Sequence, residues 1–158
     1  MARPTEEHLQ CAQRVPSYVS GTKDRWLLYQ TGVAEQLVDY TDVNWARNVG
    51  DHRSTSRFAF SLGSATIAWS RKNAQPIVAL SNTKAEYRGA VVATCEAIWL
   101  KWLLKDLQVE LSDSTMIYCD NLSSIQLAKN PVFHARTKHI EVHYHFVRER
   151  VLSGEIEL

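Results

Sequence analysis

Cysteine is scarce in this chain of 158 residues, and the three present, Cys11, Cys95 and Cys119, are scattered. They form no CxxC pair and no even-numbered framework, which points away from a disulfide-stapled secreted protein and toward a reducing, intracellular setting, cytoplasmic or nuclear. Long apolar runs are missing as well. None reaches the roughly 18–20 residues that a membrane-spanning helix needs, so no membrane partner is expected. The opening MARPTEEHLQ lacks the apolar centre of a signal peptide. An excess of one charge is also absent. The 18 Lys+Arg and 17 Asp+Glu leave a net charge of +1, so no global basic field advertises nucleic acid, although a local cleft can be charged while the total cancels. No internal repeat or low-complexity tract is visible. What remains is ordinary globular composition, 45% hydrophobic and 22% charged, which excludes wholesale disorder. One domain is expected at this length, able to bury about 70% of its unfolded surface without a disulfide or metal staple.

Residues 5–20 read as a helix capped by Thr5, with Glu6 and Glu7 in the first turn where the helix dipole favours acids. Pro16 predicts a kink or a shortening at a cost of about 3 kcal/mol, and Gly21 predicts the end. Short strands are expected at 26–30 and 37–42, the second ending on Asp42. RFAFSL (57–62) and ATIAWS (65–70) flank Gly63-Ser64, a hairpin signal. A helix is expected from about Ser81 to Leu107, apolar on two sides and therefore sandwiched in the core. The five tryptophans also read as mostly core, with Trp45 alone singled out near a substrate. A strand over 114–120 ends on Asp120, and a helix follows to Lys129, stopped by Asn130-Pro131. A last helix spans 138–152, and GEIEL opens a further strand. A hairpin followed by strand–helix alternation predicts an α/β fold with a mixed sheet flanked by helices.

Three acids hold special positions. Asp42 and Asp120 end strands, where ligands gather in open α/β sheets, and Glu86 opens the long helix. Converging carboxylates raise one another's pKa, and a divalent cation removes that penalty. Oxygen donors suit Mg²⁺ or Mn²⁺, and a pair of such ions is a common clamp for phosphodiester hydrolysis. The alternative is that these are turn and capping residues among 17 acids, and spacing alone does not separate the two readings. His139 and His143 stand four apart on a helix, a spacing that can bind zinc, with His134 and His145 nearby. No further donor completes a tetrahedral set, and a polar helix face explains them equally well. Arg136, Lys138, Arg148 and Arg150 are candidate phosphate contacts or a solvated face. Cys119 reads as a small buried residue, with no base beside it to make it a nucleophile.

Long blocks sharpen the choice. YTDVNWARN (40–48), IAWSRKNAQPIVALSNTKAEYRGAVVA (67–93) and CDNLSSIQLAKNPVFHARTKHIEVHYHFVRER (119–150) closely resemble the ribonuclease H domain of copia-type retrotransposon Pol polyproteins. The leading 4–29 resembles the stretch that joins reverse transcriptase to that domain. The resemblance implies a linker or helix over 1–35 and a ribonuclease H-like domain over 36–158, truncated in its last strand and helix. It implies metal ligation and catalysis by Asp42, Glu86 and Asp120, with Mg²⁺ or Mn²⁺ as cofactor. The implied reaction is hydrolysis of the RNA strand of an RNA–DNA hybrid. The reverse transcriptase region of the same polyprotein is the implied protein partner. Departures from the family pattern are Asn44 for an Asp, Lys84 for a Glu, Arg47 and Arg57 for glycines, and Pro16 for an aliphatic residue. The family's fourth carboxylate lies beyond Leu158, so impaired hydrolysis is expected. Three functions therefore stand side by side: a ribonuclease H, a non-catalytic remnant that still binds hybrid, and a zinc-stabilised interaction module.

Overall fold

The computed structural model describes residues 3–46, 50–71, 75–129 and 141–158, without the side chains of 141–144. In chain order the elements are α1 (Glu6–Thr22), β1 (Leu37–Asn44), β2 (Thr55–Leu62), β3 (Ala65–Arg71), α2 (Asn82–Asp106), β4 (Thr115–Tyr118), α3 (Leu122–Lys129), α4 (Glu141–Leu152) and β5 (Ile156–Glu157). The five strands form one sheet in the order β3-β2-β1-β4-β5. β1–β2 and β2–β3 pair antiparallel, whereas β1–β4 and β4–β5 pair parallel. This is the mixed sheet flanked by helices that the alternation predicts.

The hairpin turns where the sequence places it. Gly63 adopts a φ of 58°, a left-handed conformation that costs glycine little. The expected strand at 26–30 does not form. Tyr29 Oη instead donates to the Thr66 carbonyl at 2.9 Å, and Gln30 N–H donates to Ser64 Oγ at 2.9 Å. Bonds through side chains hold this segment against the hairpin without a backbone ladder, so its β-like composition is not enough to make a strand.

α1 runs through both Pro16 and Gly21 to Thr22, longer than expected, and none of its residues is buried. A proline inside a helix deprives one carbonyl of its partner, and water can satisfy that carbonyl on a fully exposed helix. Thr5 caps the start, its N–H donating to His8 Nδ1 at 3.0 Å.

Strand parity decides what β1 buries. Leu37, Asp39, Thr41 and Val43 are buried, while Tyr40 and Asp42 are exposed. α2 lies on the buried side. A Cβ on Gly89 would run into Val43 and approach Thr41 and Ser56, so the absence of a side chain lets helix and strand come close. The main core joins Leu37, Phe60 and Ile117 of the sheet to Ala93, Ala97 and Leu100 of α2 and to Ile156 of β5. Burying Phe60 and Ile117 completely contributes about 1.5–3 kcal/mol each. A second cluster packs Tyr87 and Val91 of α2 against Ala128 of α3 and Val147 of α4.

α2 is sandwiched only along its first part. Residues from Ala85 to Leu100 are buried on the sheet side and the α3–α4 side, but Trp99, Trp102, Leu103 and Leu107 are exposed. All five tryptophans are in fact exposed, from 48% at Trp45 to 77% at Trp26, which corrects the core assignment. The small residues Ala85, Gly89, Ala90, Ala93 and Ala97 make the close packing instead, and indoles are too large for that spacing.

Candidate metal centre

Two helix starts and one strand build the centre. Ser81 caps α2, its Oγ accepting from Lys84 N–H at 3.3 Å, which fixes Glu86 in the opening turns. Asn121 plays the same part for α3, its Oδ1 accepting from Ser124 N–H at 3.0 Å. Ser124 Oγ then donates to the Thr83 carbonyl of α2 at 3.1 Å. That bond ties the two helix starts together and brings Asp120 toward Glu86. Gln75 secures the other side of α2, donating from Nε2 to Ser56 Oγ and to the Ala85 carbonyl, each at 2.9 Å.

Neither strand-end acid sits quite where sequence reading puts it. β1 continues past Asp42 to Asn44, so Asp42 lies within the strand. β4 ends at Tyr118, because its parallel pairing with β1 stops at Tyr40–Tyr118, and Asp120 lies in the junction just before the Asn121 cap of α3.

Among the described residues, one group of three could hold a metal ion: Glu86, Cys119 and Asp120, with one donor atom of each within 4.8 Å of the others. Glu86 is only 3% exposed, and its Oε2 has no hydrogen-bond partner. Burial pushes its carboxyl up to about 7, and the nearby charges of Asp120 and then Asp42 push in the same direction. The Cys119 thiol is also raised, first by burial, with the Asn121 backbone N–H opposing and Glu86 and Asp120 reinforcing the rise. A buried carboxylate oxygen with no donor, beside a second carboxylate and a thiol, is a donor set that fits a divalent cation. Asp42 stands outside this group. It faces Arg57, its partner across the β1–β2 ladder, with Arg57 Nη1 3.7 Å from Asp42 Oδ2.

The other sequence-derived candidates fall as follows. Trp45 donates from its indole N–H to the Ala79 carbonyl at 3.0 Å, which pins the end of β1 to the segment before α2. Arg148 lies half-buried on α4. Arg150 is committed within its own turn, 2.8 Å from Glu155 and over the Phe146 ring. Arg136, Lys138, His134 and His139 lie outside the described residues, as does the side chain of His143. Sequence reasoning missed two participants. Cys119 is half-exposed at the centre rather than buried in the core, and the signal was its place directly before Asp120. Arg57 was visible only as a departure from a glycine, and strand register reveals it as the partner of Asp42.

Among the described residues no helix is long and apolar enough to cross a membrane. No protein-family model matches the chain. The chain is 39% identical over all 158 residues to the retrovirus-related Pol polyprotein from transposon RE1 of Arabidopsis thaliana, of which it spans 11%. It is 37% identical over 151 residues, 96% of its length, to the corresponding polyprotein from transposon TNT 1-94 of Nicotiana tabacum, again spanning 11% of that relative. Among solved structures it overlays on LC11-RNase H1, isolated from compost, with a TM-score of 0.46 and 13% identity, covering 75% of this chain and 77% of that one.

Proposed function

We propose that this chain, similar along its length to retrovirus-related Pol polyproteins of transposons, is the ribonuclease H portion of such a polyprotein, directed at the RNA strand of an RNA–DNA hybrid. The observation that carries this reading is the unpartnered, buried Oε2 of Glu86 beside Asp120. Glu86 and Asp120, with Asp42 alongside, are the residues that would hold Mg²⁺ or Mn²⁺. When bound, the cation neutralises phosphodiester charge and lowers the pKa of its water.

The chain's own residues do the rest. Glu86 anchors the centre from the buried side of α2. Asp120, exposed in the junction before α3, presents its carboxylate to the solvent side from which a duplex approaches. Arg148, with Arg136 and Lys138, supplies cations for the phosphate backbone, which set affinity and salt dependence rather than sequence choice. The 2′-hydroxyl is the feature by which RNA is told from DNA. Residues 1–35 join the reverse transcriptase region to the domain at 36–158. The exposed Leu9, Val15, Tyr18 and Val19 of α1 suit a segment that packs on another part of the polyprotein.

The ion pair between Asp42 and Arg57 favours a second reading, hybrid binding without efficient cleavage, since Arg57 occupies the acid that stands outside the metal group. One experiment separates the two. A labelled RNA–DNA hybrid with Mg²⁺ is expected to be cut, and Asp120→Asn is expected to abolish cutting. Salt-sensitive binding with no cleavage in the unaltered chain selects the second reading. Neither binding nor cleavage rejects both.

A further inference from the structure

The donor set at the centre is softer than a carboxylate cluster. We propose that Cys119 ligates the same cation as Glu86 and Asp120, making a mixed thiolate–carboxylate site that takes zinc-class ions (Zn²⁺, Co²⁺, Cd²⁺) in preference to Mg²⁺. This rests on the reading that Glu86 and Asp120 hold a cation and adds the identity of a third donor.

Geometry supplies the first argument. Donor atoms on one ion stand no more than about two bond lengths apart, about 4–4.6 Å at zinc–oxygen and zinc–sulfur distances. The Cys119 sulfur and the two carboxylates lie within 4.8 Å of one another, so small side-chain adjustments complete a three-donor face. The second argument is independent of the cysteine. Glu86 is 97% shielded from solvent, with Oε2 lacking any donor, and a buried carboxylate oxygen left unpaired is costly unless something positive meets it. Local structure holds the set in place. Cys119 lies between the end of β4 and the cap of α3, and the Ser124–Thr83 bond fastens that junction to the α2 start that carries Glu86.

Chemistry then sets the preference. Thiolate is a soft donor and selects zinc-class ions, whereas Mg²⁺ demands oxygen ligands in near-octahedral array. Zinc-class ions therefore compete with Mg²⁺ at this centre. In hybrid hydrolysis they are expected to act as inhibitors in the presence of Mg²⁺, and Cys119→Ser relieves that inhibition.

The test reads binding directly. In a Cys11→Ser, Cys95→Ser background, where Cys119 is the remaining thiol, the chain is titrated with Cd²⁺ while the ultraviolet thiolate-to-cadmium charge-transfer band is recorded. Mn²⁺ binding is measured in parallel by the spin-resonance signal of the unbound ion. The expected result is a saturable band with one Cd²⁺ per chain. Cys119→Ser should erase the band and weaken Cd²⁺ by about 100-fold, at or beyond the loss that follows removal of a supporting outer-shell partner, while Mn²⁺ still binds. Glu86→Gln should weaken both ions. Mn²⁺ binding with no cadmium band overturns the cysteine proposal and leaves the carboxylate reading intact. Failure of both ions to bind overturns the two together. If the serine variant does not fold, alkylation of Cys119 by iodoacetamide decides: slowing by Cd²⁺ supports the proposal, and an unchanged rate overturns it.

Discussion

Asp39 and Asp42 share one strand and meet opposite environments. Asp39 is fully buried on the α2 side, in register with Phe60 of β2 and Ile117 of β4, which are themselves fully buried. Its Oδ1 accepts the Ala59 N–H at 3.1 Å, and its Oδ2 has no partner. Burial pushes its carboxyl up to about 7, with the Ala59 and Tyr40 backbone N–H groups only partly opposing. Asp42 points the other way, its side chain 54% exposed beside Arg57. The difference is one of parity. Alternate side chains on a strand face opposite sides, so three residues suffice to move a carboxylate from the core to the solvent side. An acid on the inner side is a burden on the fold, and one on the outer side is available for chemistry.

The largest expected effect tests the inner acid. A carboxyl whose folded pKa is raised makes the native state hold its proton more tightly than the unfolded chain does. The stability it contributes is fully present below the unfolded pKa near 4 and is lost as pH rises to about 7. A rise of about three pKa units corresponds to about 4 kcal/mol. Glu86 acts in the same direction over nearly the same window. Urea unfolding at pH 5 and at pH 8 should therefore show the chain weaker at pH 8. Asp39→Asn keeps the acceptor for Ala59 and removes the charge, so it should cut the loss between pH 5 and pH 8 by about 2.5 kcal/mol, the rest of the effect falling below pH 5. An unchanged difference between the two pH values would place Asp39 in contact with water and end the contrast with Asp42.

Gly89→Ala is the next step down. Alanine is worth up to about 1 kcal/mol over glycine in a helix interior. Against that gain, the new methyl collides with Val43 on the same inner side of β1 that buries Asp39. Overpacking of a tight contact costs about 1–3 kcal/mol, so a net loss and a lower Tm are expected. Gly21→Ala in α1, with nothing within 4 Å of the added carbon, is the control and should stabilise slightly. Equal responses at the two sites would mean that α2 does not press on the sheet.

The contrast between these positions also explains what the sequence reveals. The hairpin about Gly63, the long α2, the β4–α3 succession and the mixed sheet are all legible, because each is coded by local periodicity and turn chemistry. The three acids are legible as a set through strand ends and a helix start. Their grouping is not, since Glu86 meets Asp120 only through Ser124 reaching Thr83, a bond between residues 41 apart in the chain. Asp39 escapes notice because composition treats it like any other acid, and only strand parity within the folded sheet makes it costly. The tryptophans mislead for a related reason. Size and hydrophobicity favour burial in general, but the helix–sheet spacing around Ala85, Gly89 and Ala93 leaves no room for an indole.

The smallest effect on stability should come from the outer side, at Arg57. Its ion pair with Asp42 spans 3.7 Å between two side chains more than a third exposed. Such pairs contribute about 0–1 kcal/mol, so Arg57→Ala should barely move the unfolding midpoint. The effect on the centre should be larger than the effect on the fold. The guanidinium now offsets the Asp42 charge, and that charge is one of those that act on Glu86. Without Arg57, Asp42 is left with unbalanced negative charge next to the metal group, and a divalent cation relieves it. Calorimetric titration with Mn²⁺ should therefore show tighter binding in Arg57→Ala than in the unaltered chain. Adding Asp42→Asn to Arg57→Ala should erase the gain, because the acid that profits from the loss of arginine is then gone. If Arg57→Ala binds Mn²⁺ no better, Asp42 is too remote from Glu86 and Asp120 to share their ion. The outer acid would then belong to the strand alone.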